Sequence, residues 1–337
     1  MNRKYKVALL ANTLEGSYEL PADAPSDALA ELDPLKYMEA YAEGIREAGH
    51  DAIFHEGAPH SNVIPWLKQT APDICFNVCE GFLGESREAH MPAVLEMLGL
   101  RYSGPTPLAA ALTQDKPTTK RVLAYYGIPT PMFQVFTSAD DPLRSDLTFP
   151  LFVKPQHEGT GMGIRNESIA RNEKQLRDYT AYVIQRYHQP ALIETYIEGK
   201  DITCGLIGNG DDIHVFPITE VDFSGYPADL APVYSSTHKN ELDHLYKNKC
   251  PAPLGDVLTN EVRRLSLQTF AVTGSRDYAR VDFRLTDEGK LYILEINALP
   301  GITPRSDLTL MARVEGISHA QMVAMVLKAA LKRYNMV

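Results

Sequence analysis

Arg280, Asp282, Glu295 and Asn297 fall within one stretch, ARVDFRLTDEGKLYILEINALPG, that reads as two adjacent strands. A Thr286–Gly289 turn, TDEG, joins them as a hairpin. Side chains two apart on a strand share a face, so Arg280 lies beside Asp282 and Glu295 beside Asn297. Two carboxylates, a carboxamide and a guanidinium thus converge between apolar neighbours. Left unpaired, such charges carry a heavy desolvation cost. A divalent cation holding polyphosphate would remove that cost, because Mg²⁺ favours a few hard oxygen ligands together with phosphate oxygens. An ordinary ion-paired hairpin is the alternative reading of the same residues.

A second chemical signal is the glycine segment in PLFVKPQHEGTGMGI. It matches neither GxxxxGK followed by Ser or Thr nor GxGxxG. The glycines lie between a strand and the extended GIRNES, and helical signal begins only near Asn166 to Ile169. The segment therefore reads as a glycine hairpin whose backbone N–H groups could close over phosphates, or as an ordinary tight turn. Lys154 at the end of the preceding apolar strand favours the first reading, since a lysine there is costly unless an anion neutralises it. Glu158 and Thr160 sit beside it. In LIETYIEGKDI, Glu194 follows a strand, Tyr196 and Ile197 offer a flat apolar surface for a purine, and Asp201 could meet ribose hydroxyls. A strand with one exposed acid explains that segment equally well. Lys116, in the first turn of a helix, opposes the helix dipole, which favours some role other than helix stabilisation.

The elements that must position these residues follow from periodicity. Over residues 1–115, strand and helix signals alternate: KVALLAN, a helix carrying Leu35, Met38, Ala42 and Ile45 on one face, DAIFHE, a short helix near Trp66, DICFNV, and a helix from Arg87 to Leu98. This alternation predicts a small parallel-sheet domain, with a ligand crevice where NVCEGFLGES leaves its strand. Residues 116–200 hold a helix from Asp115 to Gly127, the proline-rich IPTP boundary, strands MFQVF and PLFVKP, the glycine loop, a helix from Arg171 to Tyr187 and strand ALIETYI. Residues 201–337 hold strands near ITCGLIG and DIHVFPI, a long irregular stretch from Asp222 to Pro253, a helix from Asp256 to Val272, the acidic hairpin and a helix from Ser318 to about Arg333. Structureless stretches of that length are usually lids, binding loops or disorder.

Composition narrows the classes. The chain has 337 residues, 44% of them hydrophobic, enough to bury a substantial core. Its formal net charge of -10 argues against general nucleic-acid affinity. No apolar run of about 18 residues marks a transmembrane helix. The opening MNRKYKVALLANTLEG superficially resembles a signal peptide, but VALLA is too short and reads better as a first strand. Cys75, Cys79, Cys204 and Cys250 show no CxxC spacing and read as free thiols of a cytoplasmic protein.

Three ordered segments together resemble the ATP-grasp superfamily, and within it the D-alanine–D-alanine ligase family. They are FNVCEGFLGESREAHMPAVLEMLGLRYSGPTPLAAALTQDKPTTK, PLFVKPQHEGTGMGI and ARVDFRLTDEGKLYILEINALPGITPRSD. The resemblance runs through nearly the whole chain and implies a mixed α/β and α+β architecture, an ATP-grasp fold preceded by an N-terminal parallel-sheet domain. It implies that Lys116 and Lys154 contact ATP phosphates or the adenine, and that Thr160, Gly161 and Gly163 cover the phosphates. Glu194, Tyr196, Ile197 and Asp201 would hold adenine and ribose. Asp282, Glu295 and Asn297 would hold a pair of Mg²⁺ ions, with Mn²⁺ as a substitute. Arg280 and the Gly301 N–H would stabilise an oxyanion, and Lys239 and Ser306 would grip substrate or phosphate.

The activity so implied is an ATP-dependent carboxylate–amine ligase that joins small amino-acid-like substrates through an acyl phosphate, releasing ADP and phosphate. A D-alanine–D-alanine ligase proper, a kinase that stops at phosphorylation and a non-catalytic nucleotide binder are the alternatives. The partners expected are small molecules, with neither nucleic acid nor membrane, and the family suggests a homodimer. Some positions depart from the family. Its N-terminal glycine-and-acid signature is not evident in ANTLEGSYEL, where Glu15 or Glu19 would have to supply the acid. Asn240 follows Lys239 in place of a tyrosine. Asp307 replaces an apolar residue after Ser306; it would repel a simple D-amino acid carboxylate and favour a cationic group, or it caps the next helix.

Overall fold

The run KVALLA, five of whose six side chains are buried, forms the middle strand of a three-stranded sheet. In this computed structural model, which describes residues 3–227, 230, 233 and 247–337, β1 (Lys6–Ala11) pairs in parallel with both β2 (Asp51–Glu56) and β3 (Ile74–Val78). Helices α1 (Met38–Glu47), α2 (Val63–Thr70) and α3 (His90–Met97) accompany these strands, as strand–helix alternation requires. Two short helices follow, α4 (Pro107–Gln114) and α5 (Lys116–Tyr125). Thr106 caps α4 by accepting from Ala109 N, and Asp115 caps α5 by accepting from Thr118 N. Apolar periodicity does not single out α4, although Thr106-Pro107 carries the cap and N1 proline that mark a helix start.

A four-stranded sheet comes next: β4 (Phe133–Phe136), β5 (Leu151–Pro155), β6 (Ile169–Ala170) and β7 (Ala191–Thr195), in the order β4-β7-β5-β6, backed by α6 (Glu173–Tyr187). Helix α6 begins later than Asn166–Ile169 because Asn172 is its cap, accepting from Gln175 N at 3.0 Å. Before it stand a single 3-10 turn, Asn166–Ser168, and β6.

The third sheet contains β8 (Lys200–Gly208), β9 (His214–Val215), β10 (Thr219–Val221), β11 (Asn248–Lys249), β12 (Asp277–Leu285) and β13 (Leu291–Asn297). Its order is β11-β10-β8-β12-β13, with β9 on β8. Helix α7 (Gly255–Val272) packs on it, and α8 (Asp307–Val314) and α9 (His319–Arg333) close the chain. Most of the expected irregular stretch from Asp222 to Pro253 lies outside the described residues.

The chain end returns to its beginning, since α9 packs along α1. A β-carbon on Gly44 would stand 2.4 Å from Val323 Cβ, so the close approach of the two helices requires glycine there. One apolar cluster accordingly joins Val7, Leu9, Tyr41 and Phe76 to Met311, Val323 and Leu327. Asp277 ties the same parts together by charge. Its fully buried carboxylate accepts from Gly104 N, Asn209 Nδ2 and Arg333 at 2.7–3.0 Å. No helix among the described residues is long and apolar enough to cross a membrane.

Removing the acid from that network leaves Arg333 and two further donors facing a void. Asp277→Ala is therefore expected to lower the unfolding free energy by about 3–5 kcal/mol, measured by urea denaturation. A loss below about 1 kcal/mol would show that water replaces the carboxylate without penalty.

Candidate active site

A cavity of about 800 Å³ is lined by strands of both antiparallel sheets. Its wall includes Lys116, Lys154, Thr160, Gly161, Glu194, Tyr196, Ile197 and Asp201 of the residues singled out in the sequence. Arg280, Asp282, Glu295, Asn297, Gly301, Ser306 and Asp307 complete that set. Gly163 lies outside the wall, with its N–H directed to Asp27 at 3.3 Å and its carbonyl accepting from Tyr179. Glu15 is also outside: it accepts from Leu35 N at 2.8 Å, at the approach to α1. Glu19 is exposed. Lys239 and Asn240 lie outside the described residues.

The hairpin has the expected pairing. Asp282 stands opposite Glu295 and Arg280 opposite Asn297 across β12 and β13, with a bulge directly after Asp282. Two like charges directly opposed are unfavourable unless compensated. Arg280 holds Asp282 through Nε at 3.0 Å and Nη2 at 2.9 Å, and Thr203 Oγ1 donates to the same carboxylate. Lys116 Nζ lies 3.3 Å from Glu295 and also bonds the Glu158 carbonyl. Burial by itself would raise both acids. At Glu295 the charges of Lys116, Lys154 and Arg280 outweigh it and bring the carboxyl down to about 2. At Asp282 burial, Glu295 and Asp307 outweigh Arg280, and the carboxyl stays above its ordinary range.

Lys154 has an internal partner. The sequence implied an anion at this strand end, and the fold supplies Glu194, 2.8 Å away and only 2% exposed. Lys120, one turn beyond Lys116 on α5, grips the other Glu194 oxygen and donates to Thr130 Oγ1. Burial pulls the Lys120 ammonium down to about 8, against the opposing pull of Glu194. Next to this triad, Arg284 reaches Asp201 at 2.5 Å and lies over the Tyr196 ring, which stacks on Phe152. Ion pairs therefore fix the two acids beside the flat Tyr196–Ile197 surface.

The far end of the cavity corrects one expectation. Ser306, and not Asp307, is the N-cap of α8: its hydroxyl accepts from Thr309 N and donates to the Thr303 carbonyl. Asp307 is the first helical residue. Its carboxylate accepts from Asn248 Nδ2 at 3.1 Å and stands 3.9 Å from Arg280.

Sequence reasoning missed several residues of the wall. Glu31, Asp33 and Glu80 line the cavity, and Arg87 lies behind it, only 7% exposed and joined to Glu31 and Glu158. Burial, followed by repulsion from neighbouring acids, pushes Glu88 up to about 8 and Glu80 well above the carboxylate range. These residues carry no periodic signal; ESREAH in the sequence shows only two acids, Glu85 and Glu88, on either side of an arginine.

Among the described residues no three His, Cys, Asp or Glu side chains cluster as a metal site. The candidate donors are instead two opposed carboxylates and one carboxamide. That oxygen set suits Mg²⁺, which takes few protein ligands, provided Asp282 exchanges Arg280 for the ion. The four cysteines are free, three of them buried and Cys250 half-buried, and none lines the cavity.

Comparison with known proteins places this geometry in a class. A D-alanine–D-alanine ligase from Bacillus anthracis, in a structure complexed with ATP, superposes with a TM-score of 0.73 at 22% identity, over 98% of this chain and 99% of that one. The architecture is therefore the mixed α/β and α+β ATP-grasp fold with its N-terminal parallel sheet. The family model "D-ala D-ala ligase C-terminus" matches residues 122–328. A D-alanine–D-alanine ligase of Cupriavidus metallidurans is 34% identical over 85% of this chain and 84% of its own length. The uncharacterised protein y4sG of Sinorhizobium fredii is 32% identical over 89% and 88% respectively. The chain belongs to the D-alanine–D-alanine ligase family of ATP-grasp carbon–nitrogen ligases.

The electrostatics of Glu295 are open to direct measurement. Lys116→Met should move its carboxyl upward from about 2, read by carboxyl ¹³C NMR, because the nearest compensating cation is gone. A folded-state value below the ordinary one adds stability above the ordinary carboxylate range, and that stability is lost as pH falls toward about 2. The variant should lose part of that acid dependence. An unmoved resonance would mean that Lys116 does not set the Glu295 charge.

Proposed function

We propose that this protein is an ATP- and Mg²⁺-dependent ligase that joins the carboxylate of one small amino-acid-like molecule to the amine of another through an acyl phosphate. The observation that carries this reading is the convergence on one cavity of the opposed Asp282 and Glu295, the cations Lys116, Lys154 and Arg280, and the glycine loop. The ligase name of the Cupriavidus relative and the ATP complexed with the Bacillus enzyme support it.

Each residue has work in such a reaction. Attack of a carboxylate on a γ-phosphoryl group brings two anions together, and Lys116 and Lys154 screen that repulsion. The loop from Gly159 to Gly163, with Thr160 and Gly161 at its turn, presents backbone N–H groups to phosphate oxygens. Tyr196 and Ile197 supply the flat surface for adenine, and Glu194 and Asp201, held by lysines and Arg284, supply fixed acceptors at its edge and ribose. Asp282, Glu295 and Asn297 hold Mg²⁺, which supplies charge neutralisation at the phosphates. When the amine attacks the acyl phosphate, Arg280 and the Gly301 N–H donate to the developing oxyanion. No protein nucleophile is needed.

A second reading, D-alanine–D-alanine ligation itself, is favoured by the relatives' names. Asp307 beside Arg280 weighs toward another amine substrate, since an acid at that end repels the carboxylate of a simple D-amino acid. An ADP-release screen over paired L- and D-amino acids and other amines, with mass detection of product, separates the two.

Phosphate release tests the reaction type. A ligase liberates inorganic phosphate when carboxylate and amine are both present, whereas steady formation of a phosphorylated product without amine would make the protein a kinase. Glu295→Gln should abolish nearly all turnover with the fold retained; wild-type rates would refute the metal assignment. Arg280→Ala should lower turnover by about 10²–10³-fold with a smaller change in nucleotide affinity. A defect confined to affinity would remove its oxyanion role.

A further inference from the structure

The segment between Thr13 and Pro34 leaves the N-terminal sheet and crosses to the glycine loop. Two of its acids end on that loop's backbone. Glu31 Oε1 accepts from Gly159 N at 3.0 Å, and Asp27 Oδ2 accepts from Gly163 N at 3.3 Å. Each carboxylate also has a second anchor. Glu31 Oε2 takes Arg87 at 2.7 Å, and Asp27 takes the Tyr187 hydroxyl at 2.9 Å. Upstream, Arg186 donates to the carbonyls of Asp23 and Ala24 at 2.9 and 3.1 Å, and His188 meets the Asp23 carboxylate. Asp23, Asp27 and Glu31 thus recur every four residues along a strap that also walls the cavity through Leu29 and Ala30.

A carboxylate oxygen on a glycine-loop N–H makes the same charge-assisted hydrogen bond that a phosphate oxygen would make. The two cannot hold one donor in the same geometry. Because the strap is tethered, its acids act at the high effective concentration of an intramolecular ligand. A ligand that must displace them binds with its intrinsic affinity reduced by the fraction of molecules in which the loop is free.

We propose that the strap is an internal phosphate mimic: Asp27 and Glu31 hold the glycine loop against the N-terminal domain, and a nucleoside triphosphate enters by exchanging with them. This rests on the nucleotide reading of the cavity given above. The consequence is a gate in which occupancy of the phosphate site and release of the cavity's acidic wall are one event.

The test is calorimetric titration of the full chain with the β,γ-imido analogue of ATP plus magnesium, and separately with AMP. The Asp27→Asn/Glu31→Gln double variant should bind the triphosphate about 5–10-fold more tightly than wild type, with AMP binding unchanged. Arg186→Ala loosens the strap without touching a loop donor and should shift affinity in the same direction; it carries the test should the double variant fail to fold. Unchanged or weaker triphosphate binding in the folded variants overturns the proposal. So does a gain shared equally by AMP, because the strap would then act on cavity shape and not on phosphate donors. Absence of nucleotide binding in wild type and variants alike would instead overturn the functional reading on which the inference stands.

Discussion

Asp282 and Glu295 face each other across adjacent strands, and the rest of the structure is arranged around that repulsion. Neither acid can move away, because the β12–β13 ladder fixes their register from Arg280 to Leu285. The compensation comes from three separate elements: Arg280 on the same strand, Lys116 at the start of α5 and Lys154 at the end of β5. A lysine at a helix N-terminus works against the helix dipole. Here the Glu158 carbonyl and the Glu295 carboxylate offset that cost. The placement of α5 and of the four-stranded sheet against the hairpin is thus an electrostatic requirement as well as a packing one.

Lys154 connects this centre to a second one. It pairs directly with Glu194 and also contributes to the lowered Glu295 carboxyl, so one ammonium serves two acids on different sheets. Its own pKa reflects the balance. Burial alone would lower it, yet Glu194 and Glu295 hold it above the ordinary lysine value. Lys120 has the opposite outcome beside the same Glu194, because burial wins there. Of the two lysines, Lys154 is the firmer positive charge and lines the cavity, while Lys120 holds Glu194 in place.

The sequence made the local parts of this arrangement legible. Strand alternation put Arg280 beside Asp282, and the turn at Thr286–Gly289 fixed which acids would meet; both follow from chemistry within about twenty residues. Apolar spacing likewise located α1, α7 and α9 with small errors at their ends, while at α6 and α8 the side-chain caps Asn172 and Ser306 set the start. What escaped was long-range. Glu31 meets Gly159 across 128 positions, Arg87 meets Glu158 across 71, and Lys120 meets Glu194 across 74. Such pairs join different elements and leave no period in the chain. Glu15 shows the converse error. It stands where an acid was sought by position, yet the chain turns it toward Leu35 N and away from the cavity.

The two ends of the cavity are therefore built by different rules. At one end, Lys154, Arg280 and the opposed acids lie on strands beside the glycine loop, and backbone pairing sets their geometry. Thr160 at φ +56° and Gly161 at φ +72° keep a conformation that few side chains tolerate. That end has little freedom to vary without losing the fold. Elsewhere the wall consists of side chains on connections: Leu29 and Asp33 on the strap, Glu80 after β3, and Thr303, Arg305 and Ser306 before α8. Loops accept substitution far more readily than paired strands. Even there Ser306 is partly committed, since its hydroxyl caps α8, which leaves Asp307 as the acid beside Arg280 at that end. Backbone pairing thus fixes Asp282 opposite Glu295, while the wall around Asp307 and along the strap rests on side-chain contacts such as Asp307 with Asn248 and Glu31 with Arg87.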